Sequence, residues 1–232
     1  MKRVYKVVET RAVEAGWGVA LDGRPVRTPA RRELAVPSER LAAAIAAEWD
    51  AQDPDIRPET MPLTRLAATA IDRTAAERDK IVAEVANYAG TDLVCYRAAH
   101  PPALAARQEA VWQKLIDWAA GRYDAGLAVT AGIVPVPQSP ASLKAYATVV
   151  AAFDDFRLTA LQAVTATCGS LVIALALHEG RLDAEAAFDA SQLDETFQIE
   201  AWGEDAEATR RRAALAEDIR ATARFLELLR ER

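Results

Sequence analysis

The hydrophobic period of this chain changes once, near Pro37, and that change constrains the fold more than any other feature. Before it, Val4, Lys6 and Val8 alternate with Tyr5 and Val7, and Trp17, Val19 and Leu21 alternate with Gly18, Ala20 and Asp22. Period two is the spacing of strands. Asp22-Gly23 predicts a hairpin turn, because glycine takes the positive φ that such a turn requires. Pro25 lacks an amide donor, so Val26 to Thr28 is expected as an edge strand, with Leu34 to Val36 as a further short one.

After Pro37 the pattern is helical. Ser38 is placed to cap a run from Glu39 to Gln52, in which Leu41, Ile45 and Trp49 recur every four residues. A connector with Pro54, Pro58 and Pro62 follows. Helices are then expected over Leu63–Arg73 and Ala75–Ala89, with an extended piece at Leu93–Tyr96. Pro101-Pro102 opens a helix through Val111, Leu115 and Trp118. Val129–Pro137 reads as extended, and Ser139 caps a helix to Phe153, with Pro140 in its first turn. Three more helices are expected: Phe156–Leu177, the most apolar; Asp183–Ala201, after a C-cap at Gly180; and Glu204–Arg230. The last has acidic residues at its start and Arg224 and Arg230 near its end, which suits the helix dipole. The expected fold class is α+β, mostly α. A small β-rich N-terminal domain (1–60) precedes a larger α-helical C-terminal domain (61–232).

Hydrophobic residues make up 51% of the 232 positions and charged ones 27%, which excludes a disordered chain. The formal net charge is -6, and an acidic surface disfavours nucleic acid as a partner. The longest apolar stretch, Leu171–Leu177, is far short of the roughly 20 residues that a membrane span needs. Two cysteines, Cys95 and Cys168, do not make a disulfide framework and point to a reducing compartment. The N-terminus shows no apolar signal core.

A search for chemistry finds little. His100 and His178 have no partner at metal-ligand spacing, and a last-turn histidine such as His178 suits a helix C-terminus. No GxxxxGK[ST] phosphate loop occurs. Gly16-Trp17-Gly18 starts like a dinucleotide fingerprint, but Leu21 occupies the place of the third glycine. Cys168-Gly169-Ser170-Leu171-Val172 lacks the flanking glycines of a nucleophile elbow. Both cysteines read as buried structural residues. No cofactor is indicated. Carboxylates are plentiful, so an acid–base enzyme using Asp92, Asp194 and Glu195 stays open as an alternative.

The most unusual segment is Ser191–Asp205. On a helical wheel Ala186, Ala190, Leu193 and Phe197 share the stripe assigned to the core. Ser191, Glu195, Gln198 and Trp202 lie roughly opposite. A tryptophan in line with a carboxylate and an amide is what a protein-binding surface offers. The other reading is a sandwiched helix whose Trp202 packs under the last helix, and the pattern alone leaves both open.

At this segment the sequence resembles a known family. Leu193-Asp194-Glu195, Phe197-Gln198 and Trp202-Gly203-Glu204-Asp205 are similar to the C-terminal signature of the chaperones that bind the F-type ATP synthase alpha subunit during assembly. Leu21–Pro29 resembles that family's N-terminal hairpin, Tyr88–Arg97 its central motif, and Gly169–Leu177 its apolar helix. The resemblance implies a β-rich N-terminal and a helical C-terminal domain, no cofactor and no catalysis. It implies one partner, the unassembled alpha subunit, held by a monomeric chaperone without membrane insertion. The partner-binding residues expected from it are Glu195, Gln198, Trp202, Asp194 and Glu204. Eukaryotic members carry a mitochondrial presequence that is not seen here, so a bacterial cytoplasmic location is expected. A structural subunit that stays in the finished complex is the third alternative.

Overall fold

The computed structural model describes residues 2–132 and 134–230. The chain divides into two compact units. One comprises Met1–Arg78, Asp154–Ala160 and Ala221–Arg232; the other comprises Asp79–Phe153 and Leu161–Arg220. The first unit therefore extends beyond the expected boundary near residue 60 and takes in two segments from much later in the chain.

In the first unit, β1 (Val8–Val13) pairs antiparallel with β2 (Gly16–Leu21). β2 also pairs antiparallel with β3 (Arg24–Pro25) and β4 (Ala35–Val36). Leu21 sits opposite Arg24, leaving Asp22 (φ 48) and Gly23 (φ 76) as a two-residue loop. Two positive φ values are what a type I′ hairpin turn demands. Gly16 is required for a different reason. Its φ is 125, and a Cβ there would lie 2.4 Å from the Val36 carbonyl oxygen.

One strand expectation is corrected. Residues 4–7 are not in the ladder. The amides of Lys6 and Val7 donate to Asp22 Oδ1 at 3.0 and 2.9 Å, so a side chain holds this segment. Backbone pairing continues past Pro25 through the expected edge segment Val26–Thr28: the Val26 amide donates to the Val19 carbonyl at 2.8 Å, the Leu34 amide to the Val26 carbonyl at 2.9 Å, and Arg27 bridges antiparallel to Glu33. A turn closed by the Arg31 amide donating to the Thr28 carbonyl at 2.8 Å follows.

α1 (Glu39–Asp50) starts as expected, with Ser38 accepting from the Leu41 amide. α2 (Pro62–Thr69) has no cap on its own chain segment. Glu48 of α1 supplies one, accepting from the Leu63 and Thr64 amides at 2.7 and 2.8 Å and from the Thr64 hydroxyl at 2.6 Å. Burial pushes the Glu48 carboxyl up, against the pull of those donors. Val19, Val36, Leu41, Ile45 and Leu63 form one core with Ala160, Phe225, Leu226 and Leu229. The late segments belong to this unit because their apolar side chains complete its core.

The second unit is helical apart from a parallel pairing of β5 (Tyr96–Arg97) with β6 (Thr130–Ala131). It contains most of α3 (Arg78–Asn87), α4 (Pro102–Tyr123), α5 (Pro140–Ala151), the end of α6 (Asp155–Cys168), α7 (Leu171–His178), α8 (Ala184–Ser191), α9 (Leu193–Trp202) and most of α10 (Ala206–Leu228). Every residue from Leu171 to Leu177 is buried, so α7 is the central helix. Of the expected extended stretch Val129–Pro137, Ile133 lies outside the described residues. The chain is α+β and mostly α, as expected. No helix of the described residues is long and apolar enough to cross a membrane.

Two helix expectations and one for an extended piece, Leu93–Tyr96, are also corrected. Phe156–Leu177 is two helices. Gly169 takes φ 65 after α6, and Ser170 starts α7 by accepting from the Ile173 amide at 3.0 Å. Asp183–Ala201 is likewise two helices, broken at Gln192 (φ −106, ψ 19). Leu93–Cys95 is a 3-10 turn capped by Asp92, and only Tyr96 onward is extended.

Candidate functional site

The segment singled out in the sequence forms the end of α8, the break at Gln192 and all of α9. Three anchors fix it within the second unit. Trp112 of α4 is fully buried and donates its indole N–H to the Ala190 carbonyl at 2.8 Å. Gln108 of α4, 1% exposed, donates to Asp194 Oδ1 at 2.7 Å. Arg107 forms a bidentate pair with Glu200, both contacts at 2.9 Å, and lies 5.3 Å from the centre of the Phe197 ring. One face of α9 is thereby committed to α4.

A second set of contacts comes from Arg212 of α10. Its guanidinium donates to Thr196 Oγ1 at 3.0 Å and Gln192 Oε1 at 3.4 Å, and pairs with Glu204 at 3.3 Å. It also lies 5.2 Å from the centre of the Phe188 ring. One cation thus joins α8, the break, α9 and the loop after it. A planar guanidinium with five donors suits such a junction better than a lysine would.

Glu195, Gln198 and Trp202 are left. They are three and four residues apart on one uninterrupted helix, so they share a face. The Glu195 and Gln198 side chains make no hydrogen bond or ion pair among the described residues, and Trp202 is 80% exposed. Exposure of an indole to this extent leaves a large apolar area in water. The sandwiched-helix reading, with Trp202 under the last helix, is therefore overturned.

The structure does not bring all the expected residues together. Ser191 ends α8, where its hydroxyl donates to the Phe188 carbonyl at 2.8 Å, so it is not in line with Glu195. Asp194 is engaged by Gln108, and Glu204 by Arg212. These two fix the segment at either end, while exposed Gln198 and Trp202, with half-buried Glu195 beside them, form its open face. Arg212 and Gln108 were not singled out in the sequence. A lone arginine within Arg210-Arg211-Arg212 gives no local sign of which guanidinium turns inward.

Two of the three carboxylates of the enzyme alternative, Asp92 and Asp194, have other work. Asp92 has no exposed surface, and it accepts from the Val94 amide at 3.2 Å and the Val172 amide at 3.0 Å. It therefore caps both the Leu93–Cys95 turn and α7. Burial pushes its carboxyl up to about 6, against the lowering effect of Ser170, Val172, Val94 and Leu171. Cys95 and Cys168 are buried and unpaired by disulfide, and burial pushes each thiol up to about 12. His178 closes α7 with its ring edge-on to Phe153, the centroids 4.6 Å apart. Among the described residues no three His, Cys, Asp or Glu side chains assemble a metal site.

Comparison with known proteins bears on this arrangement. Residues 2–120 match the family model described as ATP12 chaperone protein. The mitochondrial protein atp12 of Schizosaccharomyces pombe is 24% identical over 214 residues, covering 87% of this chain and 74% of its own. The crystal structure of Atp12 from Paracoccus denitrificans superposes with a TM-score of 0.95 at 44% identity, covering 99% of this chain and 98% of that one. A solved structure from Agrobacterium tumefaciens gives a TM-score of 0.94 at 39% identity, covering 99% and 86% respectively.

Proposed function

The chain belongs to the ATP12 family of ATP synthase assembly chaperones, and from that premise we propose that it holds the free alpha subunit of the F-type enzyme. An unassembled subunit exposes apolar interface that would otherwise drive aggregation. A binder that covers this surface lowers the free concentration of sticky species, and displacement by the beta subunit releases it without nucleotide hydrolysis. In this reading the protein is a monomer in the bacterial cytoplasm and performs no chemistry.

The open face of α9 carries the proposal. Trp202 is an exposed anchor, Glu195 supplies a charge for a basic group on the partner, and Gln198 lies between them. Asp194 and Glu204, tied to Gln108 and Arg212, hold that face in place. The test is Glu195→Lys, scored for alpha binding and for thermal unfolding. The proposal requires weaker binding with an almost unchanged melting temperature. Normal binding by the folded variant contradicts it, and unfolding would make Glu195 a structural residue.

A further inference from the structure

A groove of ≈ 560 Å³ lies beside the α9 face, bounded by α4, α8 and the start of α9. Its floor is aliphatic. Leu115 and Leu193 are each 5% exposed at its base, and Val111, 37% exposed, stands open to water. The walls are small, with Ala110, Ala186 and Ala190 facing inward, so the groove can admit side chains from outside. The hydrogen bonds of Trp112 with Ala190 and of Gln108 with Asp194 tie α4 to α8 and α9, the helices that bound the groove.

The rim is basic on a chain whose net charge is -6. Arg107 is already neutralised by its bidentate pair with Glu200. Lys114 and Arg181 make no ion pair among the described residues, and Asp189 is the one carboxylate on the lining. An apolar trough flanked by two unpaired cations matches one kind of occupant. We infer that this groove receives an amphipathic segment of the alpha subunit, its aliphatic side chains on the floor and its carboxylates against Lys114 and Arg181. This rests on the alpha subunit being the partner. It adds a second contact of opposite charge preference to the acidic face carrying Glu195, so the two surfaces together fix the orientation of what is bound.

Two variants test it, each checked by thermal unfolding. Ala110→Trp fills the groove from an exposed wall position. The double variant Lys114→Glu/Arg181→Glu reverses the rim at exposed positions and leaves the floor intact. Binding of purified, unassembled alpha subunit is measured for the native chain and for both variants. Each should lower the affinity about tenfold or more with the melting temperature retained, and the native complex should weaken as salt rises more steeply than that of the double variant. If the native chain binds alpha and both folded variants bind as tightly, the groove is not an alpha site. If Ala110→Trp weakens binding but the charge reversal does not, the acidic segment is refuted. If the native chain fails to bind alpha at all, the partner itself is wrong, and the groove inference falls with it. Should Ala110→Trp unfold, the charge-reversal variant alone decides.

Discussion

Replacing Asp92 by Asn should change how stability depends on pH. The folded carboxyl titrates at about 6, against an ordinary 3.8, because it is buried; the donors around it lower the value only partly. The fold therefore holds this proton more tightly than the unfolded chain does. Stability contributed by the group is greatest below the unfolded value, declines as pH rises toward about 6, and is flat above it. Between about pH 7 and pH 5 the two titrations predict a gain on the order of 1 kcal/mol for the native chain. Asn keeps the shape and one acceptor but cannot titrate. Urea unfolding of both proteins at the two pH values isolates the effect as the change in their difference. The native chain should gain on the order of 1 kcal/mol on the variant at the lower pH. Parallel behaviour, or a native chain that loses ground on acidification, would refute the reasoning, since Asp92 would then be ionised as readily in the fold as out of it.

Trp112→Phe should cost about 1–3 kcal/mol in chemical unfolding, because the Ala190 carbonyl loses its donor at a buried position; a neutral result would mean water replaces the indole. Trp202→Ala should leave unfolding within about 0.5 kcal/mol of native, since the side chain is 80% exposed. Its loss should weaken alpha binding by about 2 kcal/mol in a titration, and unchanged affinity would remove it as an anchor. Calorimetry with ATP should show no tight binding, as no phosphate loop occurs in the sequence; micromolar affinity would contradict the reading.

Local chemistry was the legible part of the fold. The Asp22-Gly23 turn, the Ser38 cap and the start of α4 at Pro102 all appear where turn and cap residues signalled them. The break at Gly169-Ser170 was also marked, by a glycine followed by a capping serine, yet the apolar run across it reads as one helix. The break at Gln192 carries no glycine or proline, and its backbone is set by tertiary contacts, including that with Arg212. The completion of the N-terminal core by Phe225 and Leu229 joins residues far apart in sequence, and no local pattern reports such pairing. At the candidate site, helical spacing alone placed Glu195, Gln198 and Trp202 on one face. That Asp194 and Glu204 face Gln108 and Arg212 instead depends on neighbouring helices, which spacing within one segment does not reveal.

The central claim is a choice of partner, and co-expression of the tagged chain with separate alpha and beta subunits tests it most directly. The account predicts that pull-down retains unassembled alpha, leaves beta largely unbound, and loses alpha when beta is supplied in excess. Equal capture of both subunits, or capture of neither by the folded chain, would contradict it.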